Sequence, residues 1–499
     1  MDNKTLAAAL INTRTLPPGL GELQALANEA RAYNMLDPYP VFWFRDWKTE
    51  DRGPLPRCLP LAKSIVARGA RWLFGKPLQI NVAGNETLET FLRTAWDKNR
   101  MATRLPAIAR DGALDGGVAL KFSYDETNEK KLLIQSLSIV DQVRMFYDPH
   151  DRDSLLMARV QYPYFDAQAG KTFWYREEWT NEEEVHYVPV ADEQLKSTYA
   201  PGKNFADTYE GWQIDTRETN PFGLIPVVHI KNIDNDNVWG LGDLWDLYRV
   251  LDRIHLTYHL MDRSNQFDSD HNPIFIDADL DEQDIDRPLQ PGQPLALESK
   301  EGEHQAKVHF PEARGSLRPA MMEYAKELGR QILSAAGSVD VDSAEITNKG
   351  NLTSAVLQQI YMPLIEATEE KRKSYGTDGI ARFLATAARG LQNARVDLGV
   401  TDAEVSYKVE LAWPEHFLLS QDELAGLTAR TQEQVVAQFL TQDRATERIA
   451  QAEGIQDNKV LVKELEAEPA PTPTAVDPTL VTAQQMNSAM NSMGGNGSK

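Results

Sequence analysis

The chain has 499 residues, an ordinary apolar fraction of 42%, and a net charge of −22 from 74 acidic and 52 basic side chains. That length suits roughly two to four domains with a substantial core, and the charge argues against a protein that grips nucleic acid by neutralising its phosphates but not against one that lets DNA slide past. A single cysteine, Cys58, leaves no intrachain disulfide framework and no Cys-based zinc site and points to a reducing compartment; no stretch has the apolar core of a signal peptide or the length of a membrane span.

Residues 1–30 read as a short helical lead-in interrupted by Pro17 and Pro18. Apolar residues at 61, 65, 66, 70 and 73 predict a helix over Leu59–Phe74, closed by Gly75 and Pro77. Two further helices are predicted over about Leu88–Asp97 and Thr103–Leu114, the latter stopping at Gly116-Gly117. The period then changes to two. VALKFSYD, KLLIQSLSI, VRMFYD, LMARVQYPYF, KTFWYREEWT and EEVHYVPV alternate between turn residues and predict one antiparallel meander, with FGLIPVVHIKN adding a strand before the polar turn Asn232–Asn237.

From Leu241 the helical period returns, with Leu244, Leu247, Tyr248, Leu251, Ile254, Tyr258 and Met261 at spacings of three and four and Asp243 placed as a cap or first-turn acid. This helix is expected to last to about Phe267. Residues 268–316 hold five prolines, 12 acidic and 4 basic side chains, a composition that suits a small acidic subdomain of edge strands and turns. NPIFIDADL, PLALESK and QAKVHF are its candidate strands.

Ser316 is the predicted cap of a second helix to about Ala336, with Leu317, Met321, Tyr324, Leu328, Ile332 and Ala335 as its apolar stripe and Gly337 as its stop. A polar stretch without period, Asp340–Asn351, leads into a third helix from about Thr353. That helix carries Pro363 inside it, where a kink is expected, and Gly376 and Gly379 further on. VSYKVELAWPE (405–415) reads as a strand, Ser420 to about Glu453 as a helix, and the segments EAEPAPTPTAVDPT and NSAMNSMGGNGSK as a disordered tail.

Candidates for chemistry fail on spacing. GARWLFGKP (69–77) resembles a phosphate-binding loop, but it is one residue too long and Pro77 replaces the hydroxyl residue that would hold magnesium. His255 and His259 have zinc-ligand spacing on a helix without the metalloprotease glutamate or an evident third ligand, so a packing role is the reading preferred. GALDGG (112–117) suits a helix C-cap. No nucleophile elbow, cofactor motif or metal set is found, and nothing marks an enzyme.

Taken in order, LAKSIVARGARWLFGKPLQI, NPFGLIPVVHIKN, GLGDLWDLYRVLDRIHLTYHLMDRSNQF, NKGNLTSAVLQQIYMPLIEATEEKR and VELAWPEHFLLSQDE resemble segments of tailed-phage portal proteins of the siphophage type, over most of residues 50–415. The resemblance implies an α+β portal fold assembled as a ring, usually a dodecamer. It implies an N-terminal lead-in (1–27), a wing (28–238 with 353–415), two stem helices (239–267 and 316–338), a clip (268–315), a tunnel loop (339–352), a crown (416–466) and a tail (467–499). In that scheme Asp340, Asp342, Glu345, Asn348, Lys349 and Asn351 form a DNA-facing loop, and Arg318, Glu323, Lys326, Glu327 and Arg330 a tunnel wall. Pro363 is a hinge, and Asp277, Asp279, Asp281, Glu282, Glu298 and Glu301 are docking residues of the clip.

The implied partners are further copies of the chain, double-stranded viral DNA, the terminase large subunit, a head-completion adaptor, and the major capsid and scaffolding proteins, with no membrane and no cofactor. The implied location is the portal vertex of the virion, with host cytoplasm during assembly. Two alternatives stay open: another phage structural or scaffold protein, and an enzyme carrying insertions.

Overall fold

The computed structural model describes residues 3–11, 16–34, 59–82, 85–128, 131–197, 207, 209–235, 238–269, 274–276, 278–279, 298–299, 307–309, 317–339, 354–396, 398, 407–414, 416, 421–436 and 449. The chain forms two units, Met1–His416 and Phe417–Lys499.

In the first unit, α1 (Asn3–Leu10) and α2 (Leu20–Asn34) flank the prolines, and α3 (Leu61–Phe74) follows. Strand β1 (Gln79–Val82), α4 (Glu86–Lys98) and α5 (Met101–Asp115) come next. Asn85 caps α4 by accepting from the Leu88 amide at 2.9 Å. Gly116 ends α5 at φ +86, a left-handed position that glycine fills without cost.

The predicted strands form, but not as one meander. β2 (Gly117–Tyr124) lies between β3 (Leu132–Ser138) and the late strand β10 (Val227–Lys231), all antiparallel, with Leu120 opposite Val228 and Ser136. A second sheet runs β4 (Val143–Tyr147), β5 (Leu155–Asp166), β6 (Lys171–Trp179), β7 (Glu183–Tyr187), β9 (Ile214–Thr219), with β8 (Val190–Ala191) added to β6. The chain leaves the first sheet at the turn after Ser138, whose hydroxyl accepts from the amides of Val140 and Asp141, and β10 then fills the place beside β2. The short helix α6 (Asp192–Ser197) lies between β8 and β9.

The three-stranded sheet carries the main core. Phe122 meets Phe222 and Phe383 edge-on at 5.1 and 6.1 Å, and Leu88, Leu92, Met101, Leu384 and Leu391 close around it.

Helix α7 spans Tyr248–Ser269, not Leu241 onward. Residues 240–243 are pinned instead. Leu241 donates to the Ile233 carbonyl at 3.0 Å, Asp243 to the Ala113 carbonyl at 2.8 Å, and Gly240 sits at φ +79. Residues 242–247 then wind in tighter i to i+3 turns, Leu247 donating to the Leu244 carbonyl at 3.0 Å, and α-type bonding appears only with Leu251 donating to Leu247 at 2.9 Å, so Asp243 is not the cap of α7.

Two short antiparallel ladders follow: β11 (Ile274–Ile276) with β14 (Lys307–His309), and β12 (Ala278–Asp279) with β13 (Glu298–Ser299). Helix α8 (Leu317–Ala335) ends in a Schellman turn: Ser338 donates to Leu333 at 2.8 Å and Gly337 (φ +58) to Ser334 at 3.1 Å. The long helix has three parts: α9 (Ser354–Lys371), a π-helical segment (Arg372–Ala381) and α10 (Arg382–Asn393). β15 (Val409–Ala412) then pairs with β1, Leu411 opposite Ile80.

In the second unit, α11 spans Gln421–Val436. The predicted tail and the end of this helix lie outside the described residues.

Candidate functional site

The two long helices α7 and α8 pack as an antiparallel pair. Their shared core takes Tyr248, Leu251 and Ile254 from the first, with Leu244 and Leu247 from the turn before it, and Leu328, Ile332 and Leu333 from the second. The buried face of α8 is centred on Ala325, Leu328, Ile332 and Leu333, which corrects the predicted stripe: Tyr324 is 44% exposed and Ala335 is exposed. Opposite that buried face, Glu323, Lys326, Glu327 and Arg330 are all exposed, as are Gln331 and Ser334.

At about 100° per residue, Met322 falls on one flank of this polar stripe and Tyr324 on the other; Met322 is 51% exposed. Arg330 lies 3.8 Å from Glu327, an exposed pair worth little. On α7, Leu260 is also exposed, and with Leu256, Ala320, Met321 and Tyr324 it lines an open cleft of about 300 Å³ between the helices. The pair therefore presents a polar ridge with apolar shoulders.

Asp243 is a junction. Both its carboxylate oxygens accept from the Lys371 ammonium at 2.6 Å, and Oδ1 also accepts from Asn232 Nδ2 at 2.7 Å. Asn232 in turn accepts at Oδ1 from the Tyr375 hydroxyl (3.1 Å) and at its carbonyl from Ser374 (3.3 Å). The pair is nearly enclosed, so solvent screens it little. Arg68 of α3 donates to Ser338 Oγ at 2.8 Å and to the Val339 carbonyl, fixing the chain just before residue 340. Pro363 lies exposed on α9, whose helix continues through it to Lys371.

The remaining nominated residues are not brought into view. Asp340, Asp342, Glu345, Asn348, Lys349, Asn351, Asp277, Asp281, Glu282 and Glu301 lie outside the described residues. For Asp279, Glu298 and Arg318 only the backbone is described: the first two on β12 and β13, the last on α8.

His255 and His259 are buried on α7. His255 Nε2 lies 3.4 Å from the Leu59 carbonyl, its ring packs on Tyr33, and burial lowers its pKa, so it is a neutral core histidine. No cluster of three or more potential metal ligands occurs among the described residues. The phosphate-loop look-alike is the end of α3.

Sequence reading missed a buried charge network in the second sheet. Arg159 donates to Glu178 at 2.7 Å and Arg176 to the same oxygen at 2.6 Å, while Tyr187 donates to its other oxygen at 2.7 Å. Arg144 grips Asp207 at 2.9–3.2 Å, and Lys121 pairs with Glu177. Charged residues on alternating strands normally mark a solvent face. The visible exception is their mixture with aromatic residues, whose rings cover them: Lys121 lies 5.1 Å from the Trp179 ring centre, and Arg176 lies 4.6 Å from that of Tyr187 and 5.2 Å from that of Trp212.

The family model described as "Phage portal protein, SPP1 Gp6-like" matches residues 55–384. No curated protein matches. Among solved structures, one titled "Neck of empty GTA particle computed with C6 symmetry" aligns at 16% identity over 79% of this chain and 90% of that one, with a TM-score of 0.39. No described helix is long and apolar enough to cross a membrane.

Proposed function

The chain belongs to the phage portal proteins of the SPP1 Gp6-like family, and we propose on that premise that copies of it form a ring, twelve in number, at one capsid vertex, whose channel passes double-stranded DNA during packaging and ejection. The observation that carries the reading is the ridge of α8. Its back is polar with mixed sign, and its flanks carry the half-exposed apolar side chains Met322 and Tyr324, the latter at the open cleft beside α7. In a ring, each α8 meets a neighbour on either flank and turns the polar back to the channel. Glu323, Lys326, Glu327 and Arg330 then offer phosphates weak contacts without base readout, which suits sliding.

Residues 268–315 form the clip in this scheme, and their acidic character suits docking of the terminase large subunit during filling and of a head-completion adaptor afterwards. Residues 339–352 are the tunnel loop, Arg68 fixing its root. Pro363 is a hinge of the long helix. Capsid and scaffolding proteins meet the ring at the vertex during assembly in the host cytoplasm. The family is a structural one, and the chain is read here as a non-enzymatic conduit.

Two experiments test this. Tyr324→Asp combined with Met322→Asp should leave the helical content unchanged and abolish rings; rings of undiminished stability in that variant overturn the α8 assignment. Deleting 340–351 should leave rings intact and impair DNA packaging, and normal packaging by that variant removes the tunnel-loop reading.

A further inference from the structure

The long helix is unevenly held. Its last part, α10, is embedded: Phe383, Leu384, Ala387, Ala388 and Leu391 are fully buried, and Gly390 lets the helix approach Phe122. Its first part, α9, rests more lightly. Leu364 and Thr368 are its buried side chains among those described, Tyr361 stacks on Trp72 at 5.3 Å, and Val356 and Met362 are 41% and 51% exposed. Between them lie ten π-helical residues, Arg372–Ala381. Such wide winding is rare, and where it occurs it is usually a single turn often tied to function.

This segment is built to stay wide. A Cβ on Gly376 would lie 2.9 Å from the Trp413 ring, and one on Gly379 would lie 2.9 Å from Ile230 and from the Ser374 carbonyl. The two glycines thus bring the broad turns against β10 and β15. At its start stands Lys371, whose ammonium meets both oxygens of Asp243. Asp243 is the fixed partner, held by Asn232 and by its own amide on the Ala113 carbonyl. The close approach of Gly69, where a Cβ would lie 3.5 Å from Asp243 Oδ2 and 3.6 Å from Lys371 Nζ, seats α3 beside the pair.

We propose that the π segment is a slip joint and that the Asp243–Lys371 ion pair is its latch. A π turn bonds i to i+5 and holds one residue more than the α turn that replaces it. Converting one turn passes that residue along the chain and displaces α9 relative to the embedded α10 by about 100° and 1.5 Å. Rotation of that size carries the Lys371 ammonium away from Asp243, so the ion pair selects the register seen here. The displacement is felt at the end of α8, because a Cβ on Gly337 would lie 3.3 Å from Ala367 Cβ and 3.4 Å from the Pro363 carbonyl. The joint concerns the fold of the single chain and does not depend on the conduit reading.

Amide hydrogen exchange on the full-length protein tests it, read separately over 354–371, 372–381 and 382–393. Lys371→Met should speed exchange about ten-fold or more in the first two segments through local opening and leave the third unchanged, whereas Lys371→Arg should stay close to the parent. Equal acceleration in all three segments, or none in the first two, overturns the proposal. Deleting Thr377, an exposed residue of the π segment, should remove one excess residue and with it one wide turn, and so reduce the response to Lys371→Met. An undiminished response after the deletion also overturns it; if the deleted chain does not fold, the Lys371→Met comparison decides alone.

Discussion

Gly112 shows how a single side chain is dictated from far along the chain. A Cβ there would fall 2.0 Å from the Tyr375 hydroxyl, which is buried and bonded to Asn232. Gly112→Ala should therefore cost roughly 1–3 kcal/mol as overpacking, read as a lowered denaturation midpoint with an unchanged slope; an unaffected midpoint means that Tyr375 moves aside freely. His229 makes a second claim at this scale. Its Nδ1 lies 2.9 Å from the Tyr147 hydroxyl, its Nε2 is buried, and burial pushes its pKa down to about 3. The folded chain keeps it neutral while the unfolded chain protonates it below about pH 6.5, so stability is lost as pH falls. Between pH 7 and 5.5 this should amount to roughly 1 kcal/mol, and His229→Leu should flatten that slope; an identical pH dependence in the variant contradicts the assignment. Neither Gly112 nor His229 was legible as constrained, because Tyr375 and Tyr147 reach them only through the tertiary fold.

Most elements were legible where apolar periodicity was strong. Helices α3, α4 and α5, strands β2 to β7 and β10, and the short ladders between α7 and α8 stand close to where the pattern predicts them. β9 was missed because IDTRET is exposed along its whole length, so no face alternates. The partnership of β1 with β15 joins residues that local pattern cannot relate. The start of α7 was misplaced because the apolar spacing of Leu244 and Leu247 suits an α-helix and the i to i+3 turns that form there equally well. The π segment left no signal, since ten residues barely complete two wide turns, although Gly376 and Gly379 marked the place.

Burial separates the ionic residues of the second sheet from those of α8. Glu178 is fully buried and satisfies two arginines and Tyr187. Glu178→Gln leaves buried guanidinium charge without its counterion and should cost about 3–5 kcal/mol in a melting experiment, whereas Glu327→Gln on the exposed ridge should cost under about 0.5 kcal/mol. Equal costs contradict this contrast between core and ridge.

At the scale of the whole molecule, the net charge of −22 and the family membership fit together. The proposed conduit must pass DNA without holding it, and an acidic protein with a few cations on one polar ridge suits that reading. The order helix, acidic insert, helix, polar stretch, long helix is what pointed to the family in the sequence. The exposed polar stripe of α8 was legible in its periodicity, which names a face but not what faces it. The most direct test is electron microscopy of the purified full-length chain. Closed rings of twelve subunits with a central channel wide enough for a DNA duplex are expected, and a chain that stays monomeric or dimeric under all conditions contradicts the proposed ring.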